Sequence, residues 1–221
     1  MKMLFHGRDF IDKVLVVASE SGVLDKIEFI VQQPFDEDAI IWQYNPLGRH
    51  PALVLDDGVV LYHGMLVCEY LDSLTEGRRL FPQDGTRWRA VSQALLGDGL
   101  FDATSALVVQ GLRKPEDRNR PDALRHRKRI YHVLAEMDRQ SAAFRPDDFH
   151  IGHVCFACGL DYHDRRRPFR RFEFESADTD FDWRKAHPRL ALWFDEISRK
   201  RPSLQVRASQ LGMAQQGVPA F

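Results

Sequence analysis

Hydrophobic positions in the first third of the chain change period several times, and each change marks an element. Met3–Phe5 is a short apolar run, and Ile11, Val14, Leu15 and Ala18 follow it at helical spacing. Ile27–Val31, apolar except for Glu28, predicts a second strand, and Asp36–Tyr44 a short helix. The stretch Asn45–Leu71 opens on a Pro/Gly-rich turn and passes through His50-Pro51. Two apolar runs within it, Ala52–Leu55 and Val59–Tyr62, are joined through Asp57-Gly58, a strong hairpin signal. Val67, Tyr70, Leu71 and Leu74 then fall at i, i+3, i+4 and i+7, the stripe of an amphipathic helix. The order β-α-β-α-β-β-α is complete by about Leu74. Crossover helices between parallel strands predict an α/β layer arrangement.

The pattern then changes. Thr75–Gly85 carries Gly77, Pro82 and Gly85 and reads as a linker. From Thr86 onward no strand pattern is visible. Arg87–Leu112 has helical periodicity and stops before Pro115. Pro121 sits in the first turn of a helix predicted to run to about Phe144. His150–Leu160 and His187–Arg199 are further helices, the last ending before Pro202. The expected organisation is an α/β domain over 1–75, a linker over 76–85 and an all-helical domain over 86–221.

Composition narrows the function classes. The chain has 221 residues, 44% of them hydrophobic and 29% charged, the balance of an ordinary globular protein. A net charge of −1 gives no whole-molecule attraction to nucleic acid or an anionic membrane. The N-terminus lacks the apolar core of a signal peptide, and no apolar run reaches membrane-spanning length. Three cysteines do not make a disulfide framework, so a cytoplasmic setting is expected. Arg165, Arg166, Arg167, Arg170 and Arg171 crowd one segment, but Glu173, Glu175, Asp178, Asp180 and Asp182 follow at once. That alternation predicts a solvated, partly self-paired loop rather than a nucleic-acid surface.

His150-x-x-His153-x-Cys155-x-x-Cys158 raises a zinc reading, because His and Cys are good zinc ligands. On one helix, however, Ile151, Val154, Cys155 and Cys158 form a single stripe, and His153 points nearly opposite Cys155. The cysteines are expected in the core, with no metal.

A hairpin running into a helix, with X-Pro just ahead of it, is the C-terminal half of a thioredoxin-like unit. Here Asn45-Pro46-Leu47-Gly48-Arg49-His50-Pro51-Ala52-Leu53 and the later Tyr70-Leu71 resemble the glutathione S-transferase (GST) superfamily. In that family the run reads N-P-x-G-K-V-P-A-L, hairpin, then Glu/Asp-Ser-x-x-I-x-x-Y-L. Leu80-Phe81-Pro82 is similar to the interdomain link of that family. Asp182–Arg184 through Ser203 is similar to its bacterial C-terminal half. The resemblance implies a thioredoxin-like α/β domain followed by an all-α domain, a homodimer, glutathione as co-substrate, and a small-molecule acceptor.

The resemblance also assigns residues. His50 precedes the expected cis-proline Pro51, where backbone groups pair with the thiol peptide as a strand edge does. Arg49 stands where Lys commonly reaches the glycyl carboxylate. His63-Gly64 stands where the family has Glu/Asp-Ser. Gly64 keeps a backbone N–H for the γ-glutamyl carboxylate. His63 brings no negative charge to the ammonium, a loss worth roughly ten-fold or more in affinity. Arg8 falls where the family places Ser, Cys or Tyr, and a cation at a helix start lowers a thiol's pKa. The other reading of Arg8 is a loop residue paired with Asp9 or Asp12. His6, His50 and His63 are expected near the pocket mouth, as acid/base groups or as exposed loop histidines. Asp98, Phe101, Asp102 and Ser105 lie on a helix that faces the cleft in the family and are the expected acceptor pocket. The implied function is addition of glutathione or a related thiol to a small electrophilic, possibly aromatic, substrate. The alternative is a non-catalytic ligand-binding or interaction scaffold.

Overall fold

The computed structural model describes residues 1–6, 12–31, 39–145, 147–172 and 181–206. Met3, Leu4 and Phe5 are buried without alternation because β1 (Lys2–Phe5) lies inside the sheet with side chains covered on both faces. β1 pairs in parallel with β2 (Glu28–Val31), Met3 opposite Phe29. It pairs antiparallel with β3 (Ala52–Val54), Met3 opposite Leu53, and β3 pairs antiparallel with β4 (Val60–Tyr62). The strand order is β2-β1-β3-β4.

The Asp57-Gly58 turn holds the hairpin as its sequence demands. Gly58 takes a positive φ of 88°, and the Val59 N–H donates to Asp57 Oδ1 at 3.0 Å. Helix α1 (Asp12–Glu20) buries Val14 through Ala18 in one block, and α2 (Ile41–Tyr44) sets Ile41 beside Leu4 and Ala52. Helix α3 (Gly64–Ser73) buries Val67, Cys68 and Leu71 and packs on α1. The linker is anchored rather than loose: Leu80 and Phe81 are buried and donate their N–H groups to the buried Asp72 carboxylate at 2.6 and 3.1 Å. Burial pushes the Asp72 carboxyl up, against the pull of those two amides and of Arg79.

Two compact units result. The first is Met1–Gln83 joined by the segment from Pro202 onward, where a short 3₁₀ turn (Pro202–Gln205) packs on α1 and Ser203 Oγ donates to Glu20. The second is Asp84–Arg201. Its described helices are α4 (Arg87–Leu112), α5 (Arg120–Ser141), α6 (Ile151–Arg166), α7 (Pro168–Arg171), α8 (Trp183–Ala186) and α9 (Pro188–Lys200). The core of this unit gathers Leu100, Leu107, Ile130, Leu134, Met137, Phe156, Leu160, Trp183 and Leu190.

Helix α6 runs six residues past Leu160 because Tyr162 and His163 are also buried. Arg167, at φ 45°, closes it in a left-handed cap, and Pro168 then starts α7. The arginines expected in one loop are therefore split: Arg165 and Arg166 end α6, and Arg170 and Arg171 lie on α7. Arg165 pairs with Asp161 one turn earlier at 2.9 Å. Of the acids named with them, only Asp182 lies within the described residues, and it caps α8 by accepting from the Arg184 N–H at 3.0 Å.

Candidate thiol-binding site

The turn before β3 is built by a buried asparagine. Asn45 accepts the Leu47 N–H at Oδ1 (2.9 Å) and donates Nδ2 to the Arg49 carbonyl (2.6 Å), while its own carbonyl accepts the Gly48 N–H. Gly48 sits at φ 60° with the Trp42 ring against it, so only glycine fits that turn. The chain thus enters β3 through a cis His50–Pro51 peptide bond. Arg49, beside it, is exposed.

His50 turns its ring inward. Its Nε2 is buried without a hydrogen-bond partner among the described residues, and the His6 ring stands 6.1 Å away between centroids. Burial, and then His6, hold the His50 imidazole down at about 4. His50 is therefore neutral at neutral pH, not a group that titrates there. His6 and His50 come together as expected.

His63 has a different task from the one its position suggested. It adopts φ 83°, ψ 128°, rare for a non-glycine residue, and its Nδ1 accepts the Met65 N–H at 3.3 Å. The imidazole caps α3, a job usually done by Asp, Asn, Ser or Thr. Gly64 follows as the first residue of α3. A Cβ there would stand 2.9 Å from Lys13 Cε, 3.5 Å from Lys13 Nζ and 3.8 Å from Pro51 Cδ. The half-buried Lys13, from the first turn of α1, thus fills the space that a side chain at position 64 would need. Sequence reasoning did not single out Lys13. The signal that would have found it is Gly64, a glycine where the family has a side chain.

Arg8 lies outside the described residues. Asp98, Phe101, Asp102 and Ser105 belong to α4 in the second unit; Asp98, Phe101 and Ser105 are half-buried and Asp102 is exposed. Phe101 stacks on Tyr162 of α6 at 4.1 Å between centroids. The guanidiniums of Arg165 and Arg166 lie 5.9 and 5.5 Å from the centroid of the Tyr162 ring. Tyr162 was missed because it falls past the predicted end of its helix.

The His/Cys motif is structural in form. His150 Nδ1 accepts the Gly152 N–H at 3.1 Å, and His153 Nδ1 accepts the His150 N–H at 3.3 Å, a capping box made of two histidines. Cys155 is buried and Cys158 half-buried on the same helix. Among the described residues, no three His, Cys, Asp or Glu side chains converge as metal ligands would. No described helix is long and apolar enough to cross a membrane.

Known proteins share this architecture. Residues 9–74 match the sequence model of the glutathione S-transferase N-terminal domain. A crystal structure of a glutathione transferase family member from Pseudomonas fluorescens Pf-5, with bound glutathione, is 34% identical, covers 92% of this chain and 97% of its own, and superposes at TM-score 0.77. A glutathione S-transferase from Methylobacillus flagellatus KT with glutathione bound is 26% identical, with coverage of 92% and 96% and TM-score 0.78. The GST-like protein YibF of Escherichia coli K12 is 26% identical over 161 residues, 72% of this chain and 79% of its own.

Proposed function

Because this chain belongs to the glutathione S-transferase superfamily, we propose that it binds glutathione or a closely related thiol and adds it to a small electrophile. The observation that carries this reading is the His50 backbone at the head of β3, with Arg49 exposed beside it, in a fold whose solved relatives hold glutathione. The His50 backbone pairs with the cysteinyl residue of the thiol peptide as a strand edge does, and Arg49 meets the glycyl carboxylate. Gly64 offers its N–H to the γ-glutamyl carboxylate. Arg8 stabilises the thiolate. The thiolate attacks an electrophilic carbon, and the new C–S bond forms as the leaving group departs or the conjugated system takes up the electron pair and a proton. Lowering the thiol pKa and positioning the sulfur supply most of the catalysis.

The acceptor packs against Phe101 on Tyr162, with Asp98, Asp102 and Ser105 around it, which suits an aromatic or conjugated molecule. The protein works in the cytoplasm as a homodimer. In the first unit Leu66 and Leu74 on α3 are exposed, and in the second Trp88 and Leu95 on α4; each pair is apolar surface that a second copy can cover. A second reading, a ligand-binding scaffold without turnover, is favoured by His63, whose ring caps α3 instead of presenting an acid to an ammonium. Calorimetric titration with glutathione separates the two. Binding at sub-millimolar strength followed by turnover of an activated aryl halide supports the transferase; binding without turnover of any electrophile supports the scaffold.

A further inference from the structure

Helix α5 carries a stripe of one sign. Arg125, Lys128, Arg129 and His132 fall at i, i+3, i+4 and i+7 on one face, and all four are exposed. None of their side chains makes a hydrogen bond, ion pair or ring contact among the described residues. Like charges one turn apart repel, whereas other helices of this unit carry opposite pairs such as Asp161–Arg165 and Glu196–Lys200. The acids that could neutralise the stripe are already engaged. Asp122, one turn before Arg125, lies 3.5 Å from His126 and accepts from Gln110 at 3.2 Å. Glu136, one turn after His132, accepts from Arg139 and from Gln140, each at 2.6 Å. The stripe thus spans about 10 Å of helix rise, with a carboxylate beyond each end.

This layout discriminates among anionic partners. None of the exposed large apolar side chains among the described residues lies on α5, so the stripe has nothing to insert into a bilayer. It carries no aromatic ring to stack a base, and a polyphosphate chain running past its ends would meet Asp122 and Glu136. A carboxylate-bearing segment two turns long fits between those acids, and arginine forks hold carboxylates through paired hydrogen bonds. We propose that the face of α5 bearing Arg125, Lys128, Arg129 and His132 docks a short acidic helix of a partner protein, with Glu or Asp at the matching helical spacing. The proposal is independent of the thiol-binding site.

The test uses the full chain and a synthetic helical peptide with Glu at i, i+3, i+4 and i+7, its Gln counterpart serving as control. At low salt the Glu peptide is expected to shift the amide NMR signals of residues 125–132, and the Gln peptide to leave them in place. Arg125→Gln/Arg129→Gln is expected to bind the Glu peptide about five-fold more weakly, the scale of two exposed ion pairs. The same variant should melt no lower than the natural protein, because the repulsion along the helix is relieved. A lower melting temperature shows that the stripe serves folding and overturns the proposal. Signals that move evenly over the surface, or equal binding by the variant, also overturn it. A DNA duplex that binds the stripe more tightly than the Glu peptide overturns the acidic helix in favour of a nucleic acid.

Discussion

Gly97 of α4 lies directly against the backbone of Cys155 on α6: a Cβ at Gly97 would stand 2.5 Å from both the carbonyl carbon and oxygen of Cys155. Gly159 returns the contact, its own Cβ position being 2.7 Å from the Gly97 carbonyl oxygen. These two helices approach backbone to backbone, and a methyl group has only rigid main chain to push. Gly97→Ala is expected to destabilise the protein by about 2 kcal/mol or more, the overpacking cost exceeding the gain in helix propensity. Gly99, two residues on, has nothing within 4 Å of its Cβ position. Gly99→Ala is expected to raise stability by about 0.5–1 kcal/mol. Urea denaturation midpoints of the two variants should move in opposite directions.

The Asp72 carboxylate accepts from two buried amides, those of Leu80 and Phe81. Asp72→Ala strands both N–H groups and should cost about 2–4 kcal/mol, since each unsatisfied buried donor costs about 1–3 kcal/mol. It should also open residues 75–83 to protease before the rest of the chain. A variant as resistant as the natural protein would show that the segment is held by the Leu80 and Phe81 side chains alone.

His163 is buried, hydrogen bonded to Thr104 Oγ1 at 2.9 Å, and burial followed by the charge of Arg184 holds it down at about 4. Its unfolded value is the ordinary 6.5, so on acidification the unfolded chain takes the proton first. The contribution of a neutral His163 is complete above pH 6.5 and lost as pH falls toward 4, by about 3 kcal/mol at 1.36 kcal/mol per unit. His163→Gln keeps a hydrogen-bonding side chain without that titration. The stability gap between it and the natural protein should narrow or reverse between pH 7 and pH 4.5, measured by urea unfolding.

His50 should be silent near neutrality. With its ring held at about 4 by burial and by His6, its NMR titration should have a midpoint far below 6.5. A rate profile breaking near 6.5 would then have to come from another group, and a His50 midpoint near 6.5 would mean the ring is solvated in solution.

The histidine capping box of α6 gives a graded test. His150→Ala removes the acceptor for the Gly152 N–H and should lower stability by about 1 kcal/mol, whereas His150→Ser restores an ordinary cap and should cost less. Equal melting temperatures for the two variants would mean that the His150 ring contributes by packing on His153, not by capping.

The sheet was legible because its signals are local: an Asp-Gly turn between apolar runs, and the short apolar runs Met3–Phe5 and Ile27–Val31. The cis bond at Pro51 was legible only through resemblance, since nothing in His50-Pro51 itself selects an isomer. The end of α6 was not legible, because Tyr162 and His163 are buried by tertiary packing that no periodicity announces. His63 illustrates the remaining gap. Its residue type suggested a group for the ligand, but its ring accepts the Met65 N–H at the start of α3. The positive φ that lets the ring reach Met65 is a property of the folded turn. The Lys13–Gly64 contact joins residues fifty-one positions apart, and only their meeting explains the glycine.

The segment from Pro202 that lies on α1, with Ser203 bonded to Glu20, gives the first unit a schedule as well as a shape. A ribosome delivers the strands and helices of residues 1–83 early. The piece that finishes their packing leaves the tunnel only after the entire helical unit has been made. During synthesis the Glu20 end of α1 waits uncovered, so the order in which this protein is translated is not the order in which its parts can be completed.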